Sequence, residues 1–474
     1  MKLTNELGDS ATWRSQGLAH NTTRGRKLRR GGVEKRLSLL VIATTAVLLA
    51  SLRVRVLLIA LLALVGTLSV ALLVIYPFSA IWILVFLAFG NVSAAFLPGI
   101  FSGLLLLTLA AWMIRIFLSS DAAVSLTRVD IALTAYMSML LLSMLFSPLL
   151  EVGGGLLLLS AKWLIFYLLV SRVVRTQRQA LLVSAAVLVG AGLSGFAGLW
   201  TFSHAGFRVT LRAIFRAAGL ATNPNELAIV MVTALPIAIY MLGIVKGKFA
   251  RLSLVTLALV MIGANLVTLA RTGLIVMVIV LLVIAALERR RKRVRLLVVL
   301  FVLSLPLLIP RGFWFRFAAT GLLRADFSAI LRTGAMKAGL KMFTENPITG
   351  VGFGAYFEKS TQYGDIISPL VAHNMYLHVL AESGILGLSA MLFLIWSTFR
   401  GMRLAAKESA KGSAVYYLAR GYMLGYVAFL LCGIVTSIQI DQTFWFMPAA
   451  SIFLLQIARR QNCNMQNSSP VGDC

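Results

Sequence analysis

Three arginines recur every four residues in HAGFRVTLRAIFRAAGLATNP (204–224): Arg208, Arg212 and Arg216. On a helix they share one face, and no acid lies among them. Arg271 stands in NLVTLARTGLIVMV, between two apolar runs with almost no loop. His373, one of four histidines in the chain, lies in VAHNMYLHVLAESGILG beside Asn374, with Tyr376 close behind. A guanidinium is planar, permanently charged and forks onto oxyanions, so arginines that converge suit a phosphate or diphosphate. The same clamp stabilises the charge that develops when a diphosphate leaves. An imidazole beside it is a base for an acceptor hydroxyl. Together these residue types describe transfer from a lipid diphosphate donor.

The elements that must position them are membrane spans. The chain has 474 residues, 59% hydrophobic and 13% charged, with mean hydropathy +0.91. Soluble chains are about half apolar and a quarter charged. Lys and Arg number 44 against 16 Asp and Glu, a net charge of +28, too sparse for a disordered chain or one that coats nucleic acid. Three cysteines at 432, 463 and 474 give neither a disulfide framework nor metal-ligand spacing. Apolar runs long enough for spans, roughly 20 residues, lie near 38–51, 56–76, 78–96, 99–118, 129–148, 154–174, 179–203, 225–245, 252–270, 273–288, 294–310, 371–398, 414–436 and 438–457. Arg53 and Arg55 interrupt the first pair, so the expectation is an all-α polytopic membrane bundle of about 12–14 spans. Gly190, Gly192, Gly195 and Gly198 within one run read as close helix packing.

Orientation follows the short basic connections. The N-terminal tail, 172–178, 246–251, 288–295, the stretch with Arg400, Arg403, Lys407 and Lys411, and the C-terminus with Arg459 and Arg460 fall on one side if the spans alternate. That side is the cytoplasm, with both termini inside. The resulting organisation is a basic cytoplasmic tail (1–36), an N-terminal bundle (37–310), a large periplasmic loop (311–370), C-terminal helices (371–457) and a cytoplasmic tail (458–474). The basic tail reads as lying against anionic headgroups rather than as a cleaved signal or a nucleic-acid contact.

The arginines and His373 then belong to outer connections, where positive charge runs against the topological bias. For Arg208 and Arg212 the bland alternative is an interfacial helix with Phe207, Leu211, Ile214 and Phe215 on lipid. Snorkelling is the bland account of Arg271, and the compact ARTG turn argues against it. The outer segment 311–370 opens on Phe313, Trp314, Phe315 and Phe317, an aromatic belt. A helical stretch near 325–343 follows with Arg332, Lys337 and Lys341, then Gly350, Gly352 and Gly354 after Pro347. Without a strand–helix context or a P-loop Lys, that glycine string reads as a tight turn. His378, five residues from His373, reads as structural; Glu382, deeper in the span, requires a partner or a wet pocket. Asp441 is a candidate to neutralise one of the arginines. The outer side carries no Ser/His/Asp set, metal cluster or Asp-x-Asp pair.

Taken in order, Arg216-x-x-x-Leu220 with Asn223-Pro224-Asn225, the Arg271-Thr272-Gly273 turn, Asn346-Pro347-x-x-Gly350-x-Gly352, and His373-Asn374-x-Tyr376-Leu377 with Gly384 eleven residues after the His resemble the O-antigen ligase superfamily. That group includes the ligases of lipopolysaccharide assembly and related polymerases. The resemblance spans about 205–390. It implies a type C glycosyltransferase-like fold and transfer from an undecaprenyl-diphosphate-linked glycan at the periplasmic face of the inner membrane, inverting and without metal or other cofactor. It maps the catalytic base to His373 and donor diphosphate binding to Arg216 and Arg271; Arg212 joins them on spacing alone. Asn374, Tyr376, Arg332 and Asp441 are supporting candidates. The expected partners are the lipid-linked donor, a lipid A-core or glycan acceptor and membrane lipids, with no nucleic acid. The spacings His-x10-Gly and Arg-x3-Leu look more like the ligase than the polymerase. A transporter of anionic lipid-linked sugars is the other class; it would carry inverted repeats and midplane polarity, and neither is visible in the sequence.

Overall fold

The computed structural model describes residues 38–43, 64, 66–69, 71–92, 99–118, 126–205, 216–288, 292–308, 327–364 and 366–467. These are 82% helical, with no strand among them. Fourteen helices carry the description. The first five are α1 Pro77–Gly90, α2 Ile100–Leu118, α3 Arg128–Leu145, α4 Leu150–Val173 and α5 Gln177–Ala205. They are followed by α6 Pro224–Met241, α7 Lys248–Val267, α8 Arg271–Leu287, α9 Lys292–Leu308 and α10 Phe327–Glu345. The last four are α11 Tyr356–Tyr363, α12 Met375–Glu408, α13 Ala414–Gly433 and α14 Gln442–Asn467.

Each apolar run from residue 78 onward has its helix. Eight of them (α2 to α7, α12 and α13) are long and apolar enough to cross a membrane, nine if Gly66–Ile75 and Pro77–Gly90 form one bent span. Helix α8 is apolar but only 17 residues long. The protein is thus a multi-pass all-α membrane protein. Most of the first expected pair of runs, Arg53 and Arg55 included, lies outside the described residues, as do the belt aromatics at 313–317. The chain divides into two compact units, Met1–Pro77 with Leu107–Ala123, and Phe78–Leu106 with Val124–Cys474. In the first, Arg115 donates to the Val74 carbonyl at 3.3 Å. The second contains all the site candidates.

Within the second unit the helix starts are written in the sequence. Asn223 caps α6, with Pro224 at the first helical position, where its missing N–H costs nothing. Asn374 caps α12 and Ser413 caps α13. Thr127 and Asp130 form a reciprocal capping box on α3. Asp130 is also bound by Arg172 at 2.6 Å and by the Tyr167 hydroxyl at 2.7 Å, so a buried ion pair joins the start of α3 to the end of α4. Helix α6 is the central post and lies antiparallel to α13: Gly421 abuts Ile237, and Gly425 abuts the Thr233 carbonyl. The glycines of α5 face neighbouring helices, Gly190 against α1, Gly192 against Leu257 of α7 and Gly198 against Leu227 of α6, as expected of close packing.

Helix α12 is broken at Gly384, where φ is 63° and ψ −164°. The freed backbone is held from two sides. Val351 N donates to Ala381 O at 2.9 Å and Gly352 N to Glu382 O at 3.0 Å, while Ile385 N donates to Pro347 O at 2.9 Å. From α3, Ser143 Oγ donates to the same Glu382 carbonyl at 2.7 Å. The glycine string is therefore a strap along the break rather than a free surface turn. Gly350, at φ 71°, rests directly on the Glu382 backbone, and Gly384 on the Ile348 carbonyl. A side chain at Gly384 meets both a backbone conformation reserved for glycine and a backbone atom in its way. Gly384→Ala is expected to cost at least about 2 kcal/mol, from forbidden backbone and overpacking together. A fall of several degrees in the thermal midpoint of the purified protein checks this; an unchanged midpoint contradicts it.

Candidate functional site

Helix α13 shows which ends of the bundle coincide. Because α6 runs antiparallel to it, the start of α6 lies at the end of α13. That same end receives the start of α12: Tyr376 donates to Leu430 O at 3.1 Å, and Gly433 packs on Met375. The capped starts of α6 and α12 therefore share one end of the bundle, and the candidates group around them.

At the α6 start, the Asn223 side chain accepts from Asn225 N at 3.0 Å and Glu226 N at 3.1 Å. Arg216 is half-buried and fixed in orientation by two bonds. Its Nε donates to Thr268 O at 2.9 Å and its Nη2 to Asn225 Oδ1 at 2.8 Å. It thus ties the first turn of α6 to the turn that follows α7. That turn is compact because its polar atoms close on one another. Thr268 Oγ1 donates to Asn265 O at 2.7 Å and accepts from Ala270 N at 3.1 Å, and Asn265 Nδ2 donates to Gly273 O at 3.1 Å. Leu269 takes a positive φ of 50° to make the reversal. Arg271, half-buried, opens α8 three residues after the carbonyl that Arg216 binds. Arg208 and Arg212 lie outside the described residues.

At the α12 start, His373 is half-buried with φ 51°, immediately before the cap. Asn374 does not reach outward: its side chain accepts from Tyr376 N at 2.9 Å and Leu377 N at 3.0 Å. Loss of hydration pushes the His373 pKa below the usual imidazole value, helped by the Arg332 guanidinium and by His378. Helix α10 brings Arg332 there, closing on α12 where Gly339 meets Leu377.

His378, which reads as structural, packs beneath His373. Its Nε2 lies 3.3 Å from Glu382 Oε1, its Nδ1 3.2 Å from Ser437 Oγ, and its ring stacks on Tyr356 at 4.7 Å. Glu382, buried, also accepts from Tyr356 N at 3.1 Å, the partner an acid at that depth requires. The i, i+4 spacing of His378 and Glu382 was the available signal. Asp441 does not sit against an arginine in its described contacts. Its carboxylate accepts from Thr443 N at 2.7 Å and faces Glu226, and burial with that second acid pushes its pKa up to about 6. The 434–441 connection thus touches His378 through Ser437, and its Asp441 lies within electrostatic range of Glu226 in the first turn of α6.

Fold and site define a class: a multi-pass membrane bundle with two guanidinium groups and an imidazole near the shared end of α6, α12 and α13. A family model described as O-antigen ligase matches residues 256–392. That stretch, which contains Arg271, Arg332 and His373, is similar to the O-antigen ligase family. The match supports a function of the membrane glycan ligase or polymerase type. No curated protein matches the chain.

Proposed function

We propose that the protein moves a glycan from undecaprenyl diphosphate to an acceptor hydroxyl at the periplasmic face of the inner membrane, as an O-antigen ligase does. His373 takes the acceptor proton. The acceptor oxygen then bonds to the anomeric carbon, and the bond from that carbon to the diphosphate breaks. Arg216 and Arg271 hold the departing diphosphate, whose developing charge they offset; Arg212 joins them on sequence spacing alone, and Arg332, Asn374, Tyr376 and Asp441 support the site. The observation that carries the reading is that Arg216 binds the Thr268 carbonyl three residues before Arg271 opens α8, while the start of α12 meets the same end of α13 as the start of α6. The basic connections, read as cytoplasmic, support that end as the outer one.

The test is a reconstituted reaction containing undecaprenyl-diphosphate glycan and either lipid A-core or a second glycan as acceptor. Release of undecaprenyl diphosphate with glycan joined to lipid A-core supports ligation; elongated glycan on the carrier makes the protein a polymerase. Donor that crosses the bilayer uncleaved makes it a transporter.

The pH dependence has a definite sign. A base works when deprotonated, and loss of hydration holds the His373 imidazole below its ordinary range. Transfer rate should therefore stay level from pH 8 to 7 and fall only on the acid side of the ordinary imidazole range, with unit slope. A rate that drops already between pH 8 and 7 contradicts His373 as the base.

A further inference from the structure

Helix α4 carries a cation at its middle. Lys162 stands between Leu150 and Val173 in a helix long and apolar enough to cross a membrane, about 18 Å from the first residue at about 1.5 Å per residue. A charge at that depth needs a partner, a wet cavity or a path to the interface. Lys162 has ring faces instead: its Nζ lies 4.6 Å from the centre of the Trp163 ring and 5.7 Å from that of Phe101, at the start of α2. No acid pairs with it among the described residues. The acids within the apolar runs are engaged elsewhere. Asp130 is held by Arg172, Glu288 by Arg420 and Glu382 by His378, while Glu226 accepts from Asn223 and Asp441 from Thr443. A second copy of the chain brings the same acids, so it supplies none either.

The face of α4 that leads to Lys162 is open. Glu151, Gly155 and Leu158 precede Lys162 at helical spacing, so the four share one side. Leu158 is 75% exposed, and a Cβ built on Gly154 or Gly155 meets nothing within 4 Å. Past Lys162 the same side closes, with Phe166 and Leu169 fully buried. The open stretch thus begins at the start of α4 and ends at the half-buried lysine. Glu151, on the same side, is about 16 Å away along the helix and does not reach it. Lipid phosphates do not reach it either, since they lie about half a hydrocarbon core, roughly 15 Å, from the midplane. Glycines in a membrane helix let a second backbone come close. We propose that this face docks a transmembrane helix of a different protein, one that carries an aspartate or glutamate at mid-bilayer, and that this carboxylate pairs with Lys162. The inference is independent of the proposed transfer, because none of these residues belongs to that site.

The experiment is energy transfer between the labelled full chain in zwitterionic vesicles and synthetic transmembrane helices. The probes are a Leu/Ala helix with one central Glu, its Gln twin, and a twin with the Glu moved to the helix end. Wild type should bind the central-Glu helix at least about tenfold more tightly than either twin, on the order of one interhelical polar pair in lipid. Lys162→Met, which keeps an unbranched side chain and removes the charge, should make the three affinities equal. Gly154→Leu with Gly155→Leu should weaken binding of the central-Glu helix while leaving the thermal midpoint unchanged, because the added side chains point into open space. Equal affinities with wild type overturn the proposal, as does a preference that survives Lys162→Met. An unchanged Kd in the double leucine variant puts the contact on another face and overturns it too. A preference that disappears when phosphatidylglycerol is added makes Lys162 a lipid contact, with the same consequence.

Discussion

Replacing His373 with asparagine should lower the transfer rate by about 100- to 10,000-fold, the contribution expected of a positioned general base. Asparagine is the informative substitution because His373 has φ 51°. Asn tolerates the left-handed region better than most residues, so the backbone is kept while the imidazole is removed. Alanine adds about 1 kcal/mol or more of backbone cost at such a position and would mix folding with chemistry. The thermal midpoint of His373→Asn should match wild type, and its affinity for donor should be little changed, since the lost group acts on the acceptor proton. A His373→Asn enzyme that turns over at the wild-type rate removes the imidazole from the mechanism, whatever the fate of the arginines.

The second large effect concerns the clamp. Arg216→Lys and Arg271→Lys should each lower transfer by about 100- to 1,000-fold, the usual cost of one preorganised donor to a developing anion. Both keep the charge. Lysine is a point charge and cannot fork onto a diphosphate. At Arg216 the structure adds a reason: Nε and Nη2 bind Thr268 O and Asn225 Oδ1, so the guanidinium plane is set by the protein itself. A lysine at 216 cannot reproduce both bonds in one plane. Asn225→Ala, which removes one of them, should give a smaller loss in the same direction. If both Arg→Lys enzymes run at wild-type rate, these residues are lipid anchors.

The helices were legible because hydrophobicity is a local property: each apolar run from 78 onward was read with its approximate limits. Their ends were less so. Helix α12 continues to Glu408 and α14 to Asn467, past the expected limits of 398 and 457. Hydropathy records where lipid ends, whereas a helix persists where a neighbour holds it. Here Glu408 pairs with Arg459 at 3.1 Å and accepts at its carbonyl from Asn462 at 2.7 Å. The break at Gly384 was invisible for the complementary reason. Its partners, Val351, Gly352, Ser143 and Pro347, lie at least 30 residues away in sequence. A bare glycine string read as a turn gives no sign that it is strapped to another helix.

The candidate residues stand out in the sequence where charge runs against the expected topology. Arg216 and Arg271 stand out because an outer connection should be poor in cations, and His373 because it joins them on that side. What the sequence left hidden is the second layer: Asn225 orienting Arg216, Glu226 beside Asp441, and the His378–Glu382 pair under the strap. Each of these depends on which helix ends coincide, and α13 brings those ends together through glycine contacts that no single-sequence pattern announces.

The most direct test is a cryo-EM map of the protein in nanodiscs with undecaprenyl diphosphate bound, the leaving group of the proposed reaction. The account predicts density for the diphosphate between the guanidinium groups of 216 and 271, with the imidazole of 373 opening onto the same cavity. Diphosphate bound elsewhere, or an imidazole that faces the other side of the membrane from those two arginines, contradicts it.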